Sequence, residues 1–83
     1  MNHTEIRKLI VELYDLVDEW EFSSLYGGTT YYYEFKAGDK LYVASVHEQE
    51  RRENSYLISA DTRFVCATMK AKTFERDLRE LAK

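Results

Sequence analysis

The stretch Val46-His47-Glu48-Gln49-Glu50-Arg51-Arg52 gathers the most reactive side chains of this 83-residue chain. With Tyr56 close by, its imidazole, carboxylates and guanidinium groups could run general acid–base chemistry on a phosphodiester, arginine steadying the developing charge. A small ribonuclease centred on His47 is the enzyme this would make. The spacing matches no motif, however. His47-Glu48 lacks the second histidine of an HExxH zinc-protease helix, and it falls on a predicted strand. A charged strand end running into a solvated loop accounts for the same residues, and the sequence does not predict an enzyme.

Other chemistry-bearing residues are sparse. Cys66 is the single cysteine, without paired-cysteine spacing and far in sequence from His3 and His47. Neither a nucleophile nor a zinc site is predicted, and a small buried thiol is the ordinary role for it. Gly27-Gly28 lacks the lysine and helix of a phosphate loop and reads as a turn. No catalytic residue, metal ligand or cofactor is expected.

Charge is more informative. Lys and Arg number 12 against 15 Asp and Glu, a net charge of −3. The balance is split: residues 1–50 carry −6 and residues 51–83 carry +3. Such asymmetry predicts an acidic surface and a basic one, and argues against general nucleic-acid binding, which uses a basic domain. The basic set is Arg51, Arg52, Arg63, Lys70, Lys72, Arg76 and Arg79. Lysines ahead of a last helix, in the order α-β-β-β-α, resemble double-stranded-RNA-binding domains in element order. The glycine-rich hairpin loop and alanine-rich lysine helix of that family are missing.

The acids concentrate in the first predicted helix, from Thr4 to Glu21. Ile6, Leu9, Ile10, Leu13, Leu16, Val17 and Trp20 recur at helical spacing and form its buried stripe. Glu12, Asp15, Asp18 and Glu19 lie opposite. Along a helix axis Glu12, Asp15 and Glu19 would fall about 4.5 and 6 Å apart, a row that could occupy a basic groove on a partner. Acids are unfavourable near a helix C-terminus, and Asp15 with Glu19 would be a like-charged i,i+4 pair. A cluster placed against local preference points to an outside partner.

The elements that must position these residues follow from local pattern. Asn2 with Glu5 three residues later predicts a capping box. Phe22–Tyr26 is read as a connector whose Phe22 and Leu25 seal the core edge. Thr29–Lys36 and Leu41–Glu48 are strands, and Gly38-Asp39 between them suits a two-residue type II′ turn. That turn pairs Phe35 with Tyr42, Tyr33 with Ala44 and Tyr31 with Val46. Ser55–Ala60 is a third strand after the loop Glu50–Asn54. Arg63–Met69 is read as a fourth, turning at Asp61-Thr62, with a long helix from Asp61 as the alternative. A final helix is expected with Thr73 as N-cap and Phe74, Leu78 and Leu81 facing inward.

The fold class predicted is α+β: an antiparallel meander of three to four strands, with both terminal helices packed on one face. One compact domain, 1–83, is expected. The helices would cover the Tyr31/Tyr33/Phe35 face and leave Tyr32, Leu41, Val43, Leu57 and Phe64 on the open one. Open apolar patches on small domains mark contact sites, and tyrosine is enriched in them. No apolar run approaches the ~20 residues of a membrane helix, and a lone cysteine fits a reducing compartment, so a cytoplasmic protein is expected.

The function these features suggest is a non-enzymatic protein-interaction module, an inhibitor or regulator that occludes a basic, nucleic-acid-binding surface of a partner protein. In size and charge the chain resembles small phage-encoded anti-defence inhibitors, anti-CRISPR proteins among them. The predicted contacts are Glu12, Asp15, Asp18 and Glu19, then Tyr32, Leu41 and Val43; a homodimer through the open face is a further use of the last three. The alternative is a nucleic-acid-binding or antitoxin-like regulator using Lys70, Lys72, Arg76 and Arg79.

Overall fold

The computed structural model describes residues 1–61 and 63–82. Its elements run α1 (His3–Leu13), β1 (Asp15–Ser23), β2 (Thr29–Ala37), β3 (Lys40–Glu48), β4 (Ser55–Ala60), β5 (Arg63–Thr68) and α2 (Ala71–Arg79). The strands form one antiparallel sheet in chain order, β1-β2-β3-β4-β5. The α+β class, the meander and the helical termini are as the sequence predicts. The strand count rises to five, because the expected first helix is two elements.

That helix ends at Leu13 rather than Glu21. Its start is as expected: the Asn2 side chain accepts from the Glu5 amide while the Glu5 side chain accepts from the Asn2 amide, the capping box. Its end is set by Tyr14, which is fully extended (φ −141°, ψ −174°) while its amide still bonds the Ile10 carbonyl. The Tyr14 ring stacks on Phe35 at 5.3 Å, and its hydroxyl donates to the Leu78 carbonyl on α2. Tyr14 thus turns the chain into the sheet and ties the ends of both helices together. Beyond it, Glu19-Trp20-Glu21-Phe22-Ser23 alternates with the period of a strand, and pairs along β2 from Trp20↔Tyr32 to Ser23↔Thr29.

The β2–β3 hairpin has the predicted register: Phe35↔Tyr42, Tyr33↔Ala44 and Tyr31↔Val46, closed at Ala37↔Lys40. Gly38 at the first turn position has φ +63°, the left-handed conformation that a type II′ turn demands there. β4 and β5 pair as strands, so the long helix from Asp61 does not form. Asp61 begins the turn between them with φ +54°; Thr62 lies outside the described residues. Helix α2 starts three residues earlier than expected. Lys70 is its N-cap, without a side-chain capping bond, and Thr73 stands inside the helix.

Both helices cover one face of the sheet. Ile6, Leu9 and Ile10 of α1 and Phe74 and Leu78 of α2 pack on Tyr33, Phe35, Tyr42, Ala44, Val46, Tyr56 and Ile58. α1 lies over β1 and β2, and α2 over β4 and β5. Phe74 is fully buried and stacks on Tyr56 at 4.9 Å; Leu81 packs at the margin. Among the described residues no buried side-chain polar atom lacks a partner. Among the described residues no helix is long and apolar enough to cross a membrane.

Candidate functional site

Strand alternation assigns the uncovered face. Cross-strand pairing runs Trp20↔Tyr32↔Ser45↔Leu57↔Ala67 straight across all five strands. On one side of this row lie Phe22↔Thr30↔His47↔Ser55, and on the other Asp18↔Glu34↔Val43↔Ser59↔Phe64, with Asp15↔Lys36↔Leu41 beyond. Tyr32, Leu41, Val43, Leu57 and Phe64 therefore share the open face, as the hairpin register predicted.

The sequence reading missed two of its largest members. Trp20 was assigned to a buried helical stripe, and Phe22 to the core edge with Leu25. Instead Trp20 stacks on Tyr32 at 5.3 Å with rings 9° from parallel, and is 44% exposed. Phe22 is 67% exposed on the same face, while Leu25 at the β1–β2 turn is fully exposed. The signal was the strict alternation of residues 19–23, hidden because Leu13, Leu16, Val17 and Trp20 also satisfy a helical period. The two periods part only at Phe22.

The face has relief. Trp20, Phe22 and Tyr32 make its bulky side. Toward β4 and β5 the residues shrink to Ser45, Ser55 and Ala67, leaving a shallow hollow of about 600 Å³ that Leu57 and Met69 also line. Inside it Thr30 Oγ1 and His47 Nδ1 are 2.7 Å apart and share a hydrogen bond. A hydroxyl–imidazole pair is the kernel of a nucleophilic site, but the far side of this ring is crowded by the β1–β2 turn. A Cβ added at Gly28 would fall 2.9 Å from His47 Nε2. Glu48, beside His47 in sequence, is engaged elsewhere: one carboxylate oxygen accepts from the His3 amide at 2.6 Å and bonds His3 Nδ1 at 2.8 Å. His3 stacks on Tyr31 at 3.7 Å, and Tyr33 donates to its carbonyl. Glu48 is thus a carboxylate at the N-terminus of α1, where the helix dipole favours it, and it fastens that helix to the sheet. Arg51 and Arg52 are exposed in the following loop. Among the described residues no cluster of His, Cys, Asp and Glu could hold a metal ion.

The acidic ridge does not exist as a ridge. Glu12 stays on α1 and faces a shallow cleft shared with Glu75 and Arg79 of α2. Glu19 is on β1 under α1, where both its oxygens accept from Arg7 at 3.0–3.1 Å. That pairing lowers the Glu19 pKa and raises that of Arg7, hydrogen bonding first and charge attraction beside it. Asp15 and Asp18 are on the open face, and a bulge between Leu16 and Asp18 separates them along the edge strand. Asp18 also accepts from the Glu19 amide at 2.8 Å. The helical spacing assumed for these acids is therefore corrected, since residues 15–23 are extended. On an edge strand, charge has a plain benefit: it discourages pairing with another chain's edge.

The basic set is dispersed as well. Arg63 opens β5, Lys70 caps α2, and Lys72, Arg76 and Arg79 lie on that helix. Arg79 pairs with Glu75 at 3.0 Å and Arg76 with Asp77 at 3.3 Å. Cys66 is buried under α2. Burial pushes its thiol up to about 11, with a hydrogen bond to Asp77 acting in the same direction, so the thiolate that would react is scarce.

A scan of family models finds no match, and comparisons with curated proteins and solved structures find none either.

Proposed function

We propose that this chain works by binding protein rather than by transforming a substrate, and that the open sheet face is its contact surface. One observation carries this: two helices pack on one face, while the other leaves Trp20, Phe22, Leu41, Phe64 and Met69 between 44% and 74% exposed. A small domain rarely leaves so many large apolar groups contiguous unless they meet a partner. Tyrosine and tryptophan, here Tyr32 and Trp20 on its bulky side, are among the residues that most often dominate such contacts.

Charge defines the kind of surface it fits. Asp15, Asp18 and Glu34 border the aromatic side, so a matching surface is apolar at its centre and basic along one rim. A regulator or inhibitor that covers a basic region of another protein would use this face, with Tyr32, Leu41 and Val43 inside the contact. Asp15 and Asp18 would form its acidic border. Glu12 and Glu19 point elsewhere, and Glu19 is already paired.

Photocrosslinking tests the assignment. A benzophenone side chain placed at Phe22 or Leu41, in expressing cells, should yield discrete protein adducts. The same group at Lys8 on α1 should not. Absence of adducts from the sheet positions, or adducts from Lys8 alone, overturns the proposal.

A further inference from the structure

The open face carries both a bulky half and a hollow half, and it is lopsided in charge. We infer that its occupant is a second copy of this chain, the two sheets packed face to face about a two-fold axis parallel to β3. This rests on the open face being the contact surface and names what covers it.

The symmetry follows from residue placement. An axis along β3 exchanges left and right while keeping each end of the sheet in place. β1 of one copy then lies over β5 of the other, and β2 over β4. Trp20 and Tyr32 descend onto Ala67 and Leu57 of the second copy, bulk into the hollow, and the reciprocal contact forms automatically, as isologous interfaces require. On the axis itself stand Leu41 and Val43, each meeting its own equivalent apolar residue. Asp18 on edge strand β1 comes over Phe64 on edge strand β5 of the second copy, at the margin of the contact.

Other two-fold arrangements fail on the same residues. An axis in the interface but perpendicular to the strands would stack β1 on β1, bulk against bulk. Antiparallel edge pairing of β1 with β1 would set the acids of that strand, Asp15, Asp18, Glu19 and Glu21, among one another, and like charges brought close are destabilising. Size is adequate. A five-stranded sheet with about six residues per strand has a footprint of roughly 24 by 20 Å. With side-chain relief this approaches the ~600–800 Å² per partner of stable interfaces.

Sedimentation equilibrium of the purified chain provides the test. A reversible equilibrium between the 9.9 kDa monomer and a species of twice that mass is expected, with emission of Trp20, the only tryptophan, shifting to the blue as dimer forms. Leu41 is 52% exposed, so Leu41→Lys should fold normally, yet it sets two lysines together on the axis and should weaken association about tenfold or more. Ala67 is exposed and lines the hollow, so Ala67→Trp, which fills the space that receives Trp20, should weaken association by a similar factor. A monomer up to about 0.5 mM, well above the micromolar range of specific contacts, overturns the inference. So does a dimer whose affinity Leu41→Lys or Ala67→Trp leaves unchanged. If the chain stays monomeric while photocrosslinks from Phe22 capture a different protein, only the self-association fails; if those crosslinks are absent too, the contact face itself is wrong.

Discussion

Phe64 and Phe74 are the same residue type ten positions apart, and the structure gives them opposite tasks. Phe74 is fully buried and stacked on Tyr56, under the centre of α2; Phe64 is 74% exposed on the open face. Phe74→Ala removes a ring from a closed core, which costs about 3–5 kcal/mol through lost burial and the cavity left behind. A chain of 83 residues has only ~4–12 kcal/mol to lose. The variant should therefore melt well over ten degrees lower, at ~4–8 °C per kcal/mol. For Phe64→Ala only about a quarter of the side chain's burial is at stake, roughly 0.4–0.8 kcal/mol. Its effect should fall on association instead. Urea denaturation followed by circular dichroism, at several protein concentrations and extrapolated to infinite dilution, separates the two because dimerisation adds a concentration-dependent term. A loss above about 2 kcal/mol for Phe64→Ala at infinite dilution, or below about 1 kcal/mol for Phe74→Ala, contradicts these placements and the core they define.

Further perturbations probe the elements around the site. Burial raises Tyr33 to about 12 and Cys66 to about 11. Both stay protonated in the fold where the unfolded chain has lost the proton, so stability should hold up to about pH 9 and decline between 9 and 12; Cys66→Ala should delay that decline in a pH series of thermal melts. Asn2→Ala should cost about 1 kcal/mol by removing the α1 cap, read by urea titration. Gly28→Ala should cost more than Gly27→Ala. Both glycines have positive φ, but only at Gly28 would a Cβ meet the Glu48 carbonyl at 2.8 Å and the His47 ring at 2.9 Å, and comparing the two melting temperatures checks it. The Cys66 thiol should react with a thiol-specific disulfide reagent only as fast as the chain unfolds, measured by absorbance against the unfolding rate.

Much of the fold was legible because its signals are local. The turn Gly38-Asp39 leaves one register for the central hairpin, and that register alone sorts Tyr31, Tyr33 and Phe35 from Tyr32, Val43 and Leu41. The capping box at Asn2 and Glu5 marks the first helix's start without ambiguity. Its end was not legible, because Leu13, Leu16, Val17 and Trp20 fit the helical period and neither Gly nor Pro interrupts residues 13–23. What stops the helix is tertiary: Tyr14 is held by Phe35 and by the Leu78 carbonyl, partners 21 and 64 residues away. The same lack of local information hid Glu48 beneath α1 and set Glu19 against Arg7.

The misplaced acids were nonetheless a correct warning. Asp15, Asp18 and Glu19 at the C-terminal end of an 18-residue helix violate the dipole preference, and the sequence reading resolved that conflict by invoking a partner. The structure resolves it by ending the helix first. In β1 there is no macrodipole to oppose them; Glu19 finds Arg7, and the others charge an edge strand that would otherwise invite pairing. Shortening the helix also releases Trp20 and Phe22 from its supposed buried stripe and puts them on the open face. The proposed partner contact thus rests on the aromatics rather than the acids, and lies on the sheet rather than along a helix. Where local preference and assumed structure disagree, the assumed structure is the first thing to doubt: here a local electrostatic conflict located, to within a few residues, the boundary that hydrophobic periodicity concealed.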